Sequence, residues 1–552
     1  MKKTGHTSRE ALSQLKAAAT LFGGDAPVQK QKWLHVCSGL QFRAAKDLVA
    51  YHDCLLFLLA YPESAPLYAL AEAELMRLGT FLKKLKPSSA LYEALSRSGL
   101  AYTSTQSAYS LELIRWMLQT FPGQVELHSL DEQGKHPQSL LRYSLPALEF
   151  ELAAEDSLKP LAWLEKACGS KNKGRVLRWI VDQVDRLPAS GPARELLFES
   201  LQLYVNIKPA IPELSRSFGR SLLHPVYIHD KELLKKFDAK AVLNTKLNTR
   251  KKLQAAAEEH LLKTSRVALA MLNRETEPIT YCRPGQVEYY ELDRGLSIAL
   301  FSMNPDQRMP LESYIGYMMF KNGQPMAYGG CWILGKRALA GVNIFEPFRG
   351  GESALVFCNI LRVYRQRFGI SYFEVEPYQF GKGNPEGIRS GAFWFYYRFG
   401  FRPLRADLAA LAEQEQAKIA ADKTYRSSYA TLKQLTGSNI GWHIDAGVNT
   451  INPSEISKTI TAYIHREHLG NRAAAEKHAH RFVSGQLGVG SQKSWTEAEK
   501  QSYHNLCLWV VVSFPDLARW STGRKQNLLK LMRLKGSDEF AYVDFYPRVA
   551  GK

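Results

Sequence analysis

Residues 346–354, read as EPFRGGESA, stand between an apolar, β-prone run at 340–345 and an amphipathic segment that reaches Phe368. That order predicts a strand, a glycine turn and a helix in succession. Such a junction aims unpaired amide N–H groups and the positive end of the helix dipole out of the turn, which suits a pyrophosphate. Gly350 and Gly351 would let phosphate oxygens approach the backbone. Four helical histidines, His465, His468, His478 and His480, have no carboxylate or cysteine beside them at ligand spacing, so no metal site is expected. The seven cysteines are scattered and form no C-x-x-C pair; they read as buried apolar side chains in a reducing compartment.

The elements that must position this turn follow from the change of period along the chain. From residue 8 to about 273 apolar residues recur at three- and four-residue spacing, broken by turn signals such as Tyr61-Pro62 and Phe121-Pro122-Gly123. Amphipathic pieces at 111–121 and 174–184 need neighbours to cover them, as stacked helical hairpins would provide. After Pro278 the runs 287–292, 296–301, 314–320 and 326–334 are rich in β-branched and aromatic residues and read as strands, the last two joined by Asn322-Gly323, a pair that accepts positive φ in a tight hairpin. A strand at 371–376 and a helix at 390–398 follow the turn, and beyond about 404 the chain reads as helix again, with a capping-box start at Ser494 and Glu497. The expected organisation is a helical region over 1–275, a mixed-sheet α/β (α+β) domain over 276–405, and a second helical region over 406–552, both flanks being all-α.

The hairpin "YMMFKNGQPMAYGGCWIL", the turn "FRGGESA" and the ending "AFWFYYRFGF", in that order and spacing, resemble the GNAT N-acetyltransferase superfamily over residues 287–403. The resemblance implies a GNAT-like fold, acetyl-CoA as co-substrate, and transfer of the acyl group to an amine. It implies that the backbone at Ile344, Phe345, Arg349, Gly350, Gly351, Glu352, Ser353 and Ala354 holds the pyrophosphate and pantetheine. It also places Tyr396, four residues before Gly400, where the family often has the acid that protonates the departing thiolate. The base that takes the amine proton would be Glu346, at the end of the strand facing the thioester, or Glu374 or Glu376 on the next strand.

Two positions depart from the family. Glu352 stands where it has glycine, and a carboxylate beside a pyrophosphate is unfavourable unless it turns away; Arg389 stands where it has asparagine. These departures favour a second reading, a binding or scaffold protein on a GNAT-like core that has lost its cofactor. A third, an aminoacyl-tRNA-dependent transferase on the same fold, is compatible with the charge of the flanks.

That charge is +19 overall. Residues 287–403 hold 13 Lys and Arg against 10 Asp and Glu, so the basic excess lies outside the expected domain. A field of this sign favours polyanions such as nucleic acid, and equally serves solubility. The segment 229–266, with ten Lys and Arg against five acids, and a C-terminal helix carrying Arg524, Lys525, Lys530, Arg533 and Lys535 are the stretches best placed to meet a polyanion. No apolar run approaches the ~20 residues of a membrane span, and the start lacks the apolar stretch of a secretory signal. A cytoplasmic protein is the expectation.

Overall fold

Asn322 and Gly323 turn the chain at positive φ, 46° and 77°, and fold its two longest strands against each other. In this computed structural model, described over residues 7–154, 157–445, 450 and 452–550, the chain is mixed α/β, with 24 helices and two sheets among the described residues.

The smaller sheet contains β1 (Thr105–Ser107), β2 (Val125–Leu130) and β3 (Leu203–Ile207), antiparallel in the order β1-β3-β2. The N-terminal region is therefore not all-helical as expected. In β2 and β3, Val125, Leu127, Leu203, Val205 and Ile207 are buried on alternate positions, a period-two signal short enough to be lost between long helical runs. These strands and the helix Lys173–Arg186 build a hydrophobic core of their own over roughly residues 109–214, while the remaining chain shares a second, larger core.

The larger sheet contains β4 (Val287–Glu291), β5 (Leu296–Phe301), β6 (Ser313–Lys321), β7 (Gln324–Leu334), β8 (Arg337–Ile344), β9 (Tyr372–Val375), β10 (Arg402–Pro403) and β11 (Ile440–His443). Their order is β4-β5-β6-β7-β8-β9-β11-β10, antiparallel throughout except for β8 and β9, which are parallel. The helix Ser353–Phe368 makes the crossover that a parallel pair requires. The sheet does not end at 405. β11 returns after two helices, Ala406–Ala421 and Tyr429–Leu435, to pair with both β9 and β10.

Four long helices and a short one, Ala90–Ala94, precede the small sheet; the long ones are α1 (Ser8–Ala19), α2 (Ala26–Ser38), α3 (Ala45–Ala60) and α4 (Ala65–Lys83). From Cys54 to Ala60 every residue of α3 is buried, the pattern of a helix covered all round. Part of that cover is the short helical turn Glu346–Phe348 that follows β8. The helical cap thus sits directly on the junction where a pyrophosphate was expected.

Several cations of the basic stretches are engaged within the chain. In the helix Thr522–Ser537, Lys535 is buried, paired with Glu539 and bonded to the Glu312 carbonyl and the Ser313 hydroxyl; Arg533 pairs with Glu499, and Arg524 lies over the Trp520 ring. Its apolar side packs inward as expected, and its other two cations also have contacts within the chain, Lys525 donating to the Ala518 carbonyl and Lys530 lying over the Phe545 ring. In the segment 229–266, Arg250 pairs with Glu288 and Lys251 with Glu291, and the backbone of Lys251 bridges to Tyr289 at the edge strand. The capping box of the helix Glu497–Ser513 is made by Thr496 and Glu499, two residues later than read. Among the described residues no helix is long and apolar enough to cross a membrane.

Candidate functional site

β8 and β9 touch only at their beginnings. Arg337, Ala338 and Leu339 pair with Tyr372, Phe373 and Glu374; from Ala340 to Ile344 the inner edge of β8 has no strand beside it. Pro377 ends β9, since it lacks an N–H and forces its predecessor out of line, and the chain turns off through Pro377–Phe380. The two strands therefore splay into a V whose mouth lies at the turn 346–353.

At that mouth the helix Ser353–Phe368 begins. The amides of Ser353, Ala354 and Leu355 have no backbone acceptor among the described residues, as the first turn of a helix dictates. Arg349 and Gly350 are exposed, Ser353 and Ala354 half-buried. Glu352, which stood in the way, is 1 % exposed and its carboxylate is drawn into the protein: Arg294 lies at 2.6 Å, Lys321 at 3.1 Å, and the Leu234 N–H donates to it at 2.9 Å. Burial opposes its charge, but Lys321, the Leu234 N–H and Arg294 outweigh that and hold the carboxyl below its usual range. Burial in turn lowers Lys321 to about 8 despite the carboxylate beside it. The charge of Glu352 is thus neutralised by two cations and its side chain leaves the turn free.

Other groups do reach into this junction. Tyr61, at the end of α3, accepts the Glu352 N–H at 3.2 Å. Gln379 accepts the Val342 N–H at 3.3 Å from the far side of the V, and Arg349 donates to the Ile344 carbonyl at 3.2 Å while pairing with Glu386 across the mouth. Two backbone groups on the open edge of β8, the Val342 N–H and the Ile344 carbonyl, are thus met by side chains of the protein itself.

Tyr396 is 4 % exposed in the helix Ala392–Phe399, its ring edge-on to Phe357 at 5.4 Å and to Phe401 at 5.9 Å. Burial pushes its phenol well above the usual value, so it carries its proton at neutral pH. Glu374 is buried at the closed end of the V, held by Arg337 at 2.9 Å and Asn439 at 2.6 Å; its oxygens secure β9 and the approach to β11. Glu346 and Glu376 are exposed, at the mouth and just past β9, and Arg389 is exposed at the end of Pro385–Arg389. Among the described residues no group of three or more His, Cys, Asp or Glu could hold a metal ion.

Sequence reasoning missed Tyr61, Gln379 and the Lys321–Glu352–Arg294 cluster. Lys321 alone left a trace, as a cation closing the apolar strand YMMFK. Gly351 shows how tightly the cap is fitted: a Cβ there would lie 2.5 Å from the Tyr61 hydroxyl and 2.6 Å from its ring. Because Tyr61 is fully buried and cannot swing away, Gly351→Ala is expected to destabilise the fold by about 1–3 kcal/mol, read from the urea midpoint. A tolerant surface turn, the simpler reading of FRGGESA, would leave that midpoint unchanged.

No family model matches the chain, and no curated protein or solved structure does so.

Proposed function

We propose that the chain is an acyl-CoA-dependent N-acyltransferase with a GNAT-like catalytic sheet. The observation that carries this reading is the V between β8 and β9, with a helix N-terminus and its unpaired amides at the mouth. Antiparallel strands leading into a splayed pair, β8 and β9, support the mixed sheet that the resemblance implies. Three first-turn amides suit phosphate and the carboxylate at 352 is turned inward; the strand edge beside them suits the amides of a pantetheine arm once Gln379 and Arg349 release Val342 and Ile344.

Bound acyl-CoA would supply the activated thioester. The residues of the chain do the rest. The open edge of β8 aligns the arm, and Glu346 or Glu376 accepts the proton lost by the attacking amine, through water if need be. Nitrogen bonds to the carbonyl carbon, the carbon–sulfur bond breaks, and Tyr396 returns a proton to sulfur. Its raised pKa keeps that proton in place until a thiolate forms.

Calorimetric titration with acetyl-CoA tests the reading. Gln379→Ala frees the Val342 N–H and is expected to tighten binding up to about tenfold, the worth of about one hydrogen bond. A second reading, a binding protein on the same core, is favoured by the way Tyr61, Gln379 and Arg349 already occupy backbone groups of the site. Absence of heat with both the wild type and Gln379→Ala would establish it over the first.

A further inference from the structure

Between α3 and the start of β7 lies a cavity of about 330 Å³, bounded by the helical cap on one side and by the segment leaving β8 on the other. Its volume is at the lower end of the ~300–1,000 Å³ typical of small-molecule sites, so it suits a compact ligand and excludes a folded partner. Leu56 and Phe345 give it an apolar wall. Gln324 stands in the wall at 1 % exposure with its Nε2 unpaired, although a buried carboxamide ordinarily finds a partner. Asp53 and Arg216 satisfy each other at 2.7 Å. Two lining charges of opposite sign, Arg97 and Glu346, are exposed and have no ion-pair partner among the described residues. Arg97 is moreover held at a positive φ of 67°, a conformation that a non-glycine residue adopts rarely.

We infer that this cavity is the acceptor pocket of the transferase and that its ligand is a free α-amino acid with an apolar side chain. The inference rests on the acyltransferase reading. A lone amine would need only Glu346, and a lone carboxylate only Arg97; a cavity that offers both, with an unpaired amide donor between apolar walls, matches a molecule carrying both groups and a hydrocarbon body. The carboxylate takes Arg97 and the Gln324 amide, and the amino group lies toward Glu346, which is the charged residue of the pocket nearest in sequence to the open edge of β8. The acceptor nitrogen gives up its proton to Glu346 as it forms the new amide bond.

Calorimetry on the full-length protein with L-leucine, L-phenylalanine, phenethylamine and 3-phenylpropionate decides the matter. At least one of the two amino acids is expected to bind, and the two analogues that lack one charged group at least tenfold more weakly than L-phenylalanine if that is the one bound. Arg97→Gln, an exposed change that folding should tolerate, is expected to cost at least tenfold for the bound amino acid. Equal binding of the analogues, no binding of either amino acid, or an unaltered Arg97→Gln would overturn the inference. If acetyl-CoA binds and neither amino acid does, the pocket assignment fails and the transferase reading stands. If an amino acid binds and acetyl-CoA does not, the transferase reading fails and the acceptor role with it.

Discussion

Glu352→Ala lowers the stability of the folded chain by about 3–5 kcal/mol, because it leaves the fully buried Lys321 ammonium without its counter-charge. The pair by itself is not a large net gain, since taking two charges out of water costs much of what their attraction returns. Removing one partner is different. Lys321 keeps the Arg294 carbonyl and the faces of the Tyr61 and Tyr227 rings but no counter-charge, and the Arg294 guanidinium stays nearby as a like charge. The sign of the pH dependence follows from the depressed carboxyl. A group whose folded pKa lies below its unfolded value, about 4.3 for glutamate, contributes fully above that pH and loses its contribution as pH falls through the folded value. Glu352→Gln should therefore be less stable than wild type at pH 7, and the gap should narrow below about pH 4. Urea unfolding at both pH values measures it; a gap of constant size would show that the carboxylate is not what holds the cluster.

Tyr396→Phe is expected to reduce the rate of acyl transfer by ~10²–10⁴-fold, the usual worth of a positioned general acid, while leaving stability nearly unchanged. The ring fits the same aromatic surroundings with or without its hydroxyl, for which no hydrogen-bond partner is found among the described residues. Thiol release from acetyl-CoA gives the rate and thermal unfolding gives the control. An unaltered rate would return Tyr396 to the aromatic core, where Phe393, Trp394 and Tyr397 of the same run already serve.

The central strands were legible because alternation and a two-residue hairpin signal are local properties: 296–301 is reproduced residue for residue, and the hairpin closes at Lys321 and Gln324 as Asn322-Gly323 demands. The helix after the turn was legible for the same reason, down to its end at Phe368. What escaped was non-local. Ile440–His443 is four residues long, and only the free edge of β9 gives it a reason to be a strand. The fate of Glu352 could not be read from FRGGESA, because its partners come from Leu234, Arg294 and Lys321, each distant in sequence. The burial of one cation of the C-terminal helix escaped for a related reason. A sequence displays Lys535 as one more cation; only packing reveals that it lies inside, against Glu312 and Ser313.

The contact between α3 and the hairpin has a bearing on synthesis. Asn322 donates to the Ala60 carbonyl across 262 residues of chain. At ~5–20 residues per second, tens of seconds pass between the emergence of that helix from the ribosome and the arrival of the surface that covers it. Early in that interval Leu55 to Leu59, five consecutive apolar residues, have α1 and α4 as their chief shield. The nascent chain is thus a natural client for a holding chaperone, and slowing translation near residue 100 should raise the aggregated fraction more than slowing it after residue 443, once the last strand has been made.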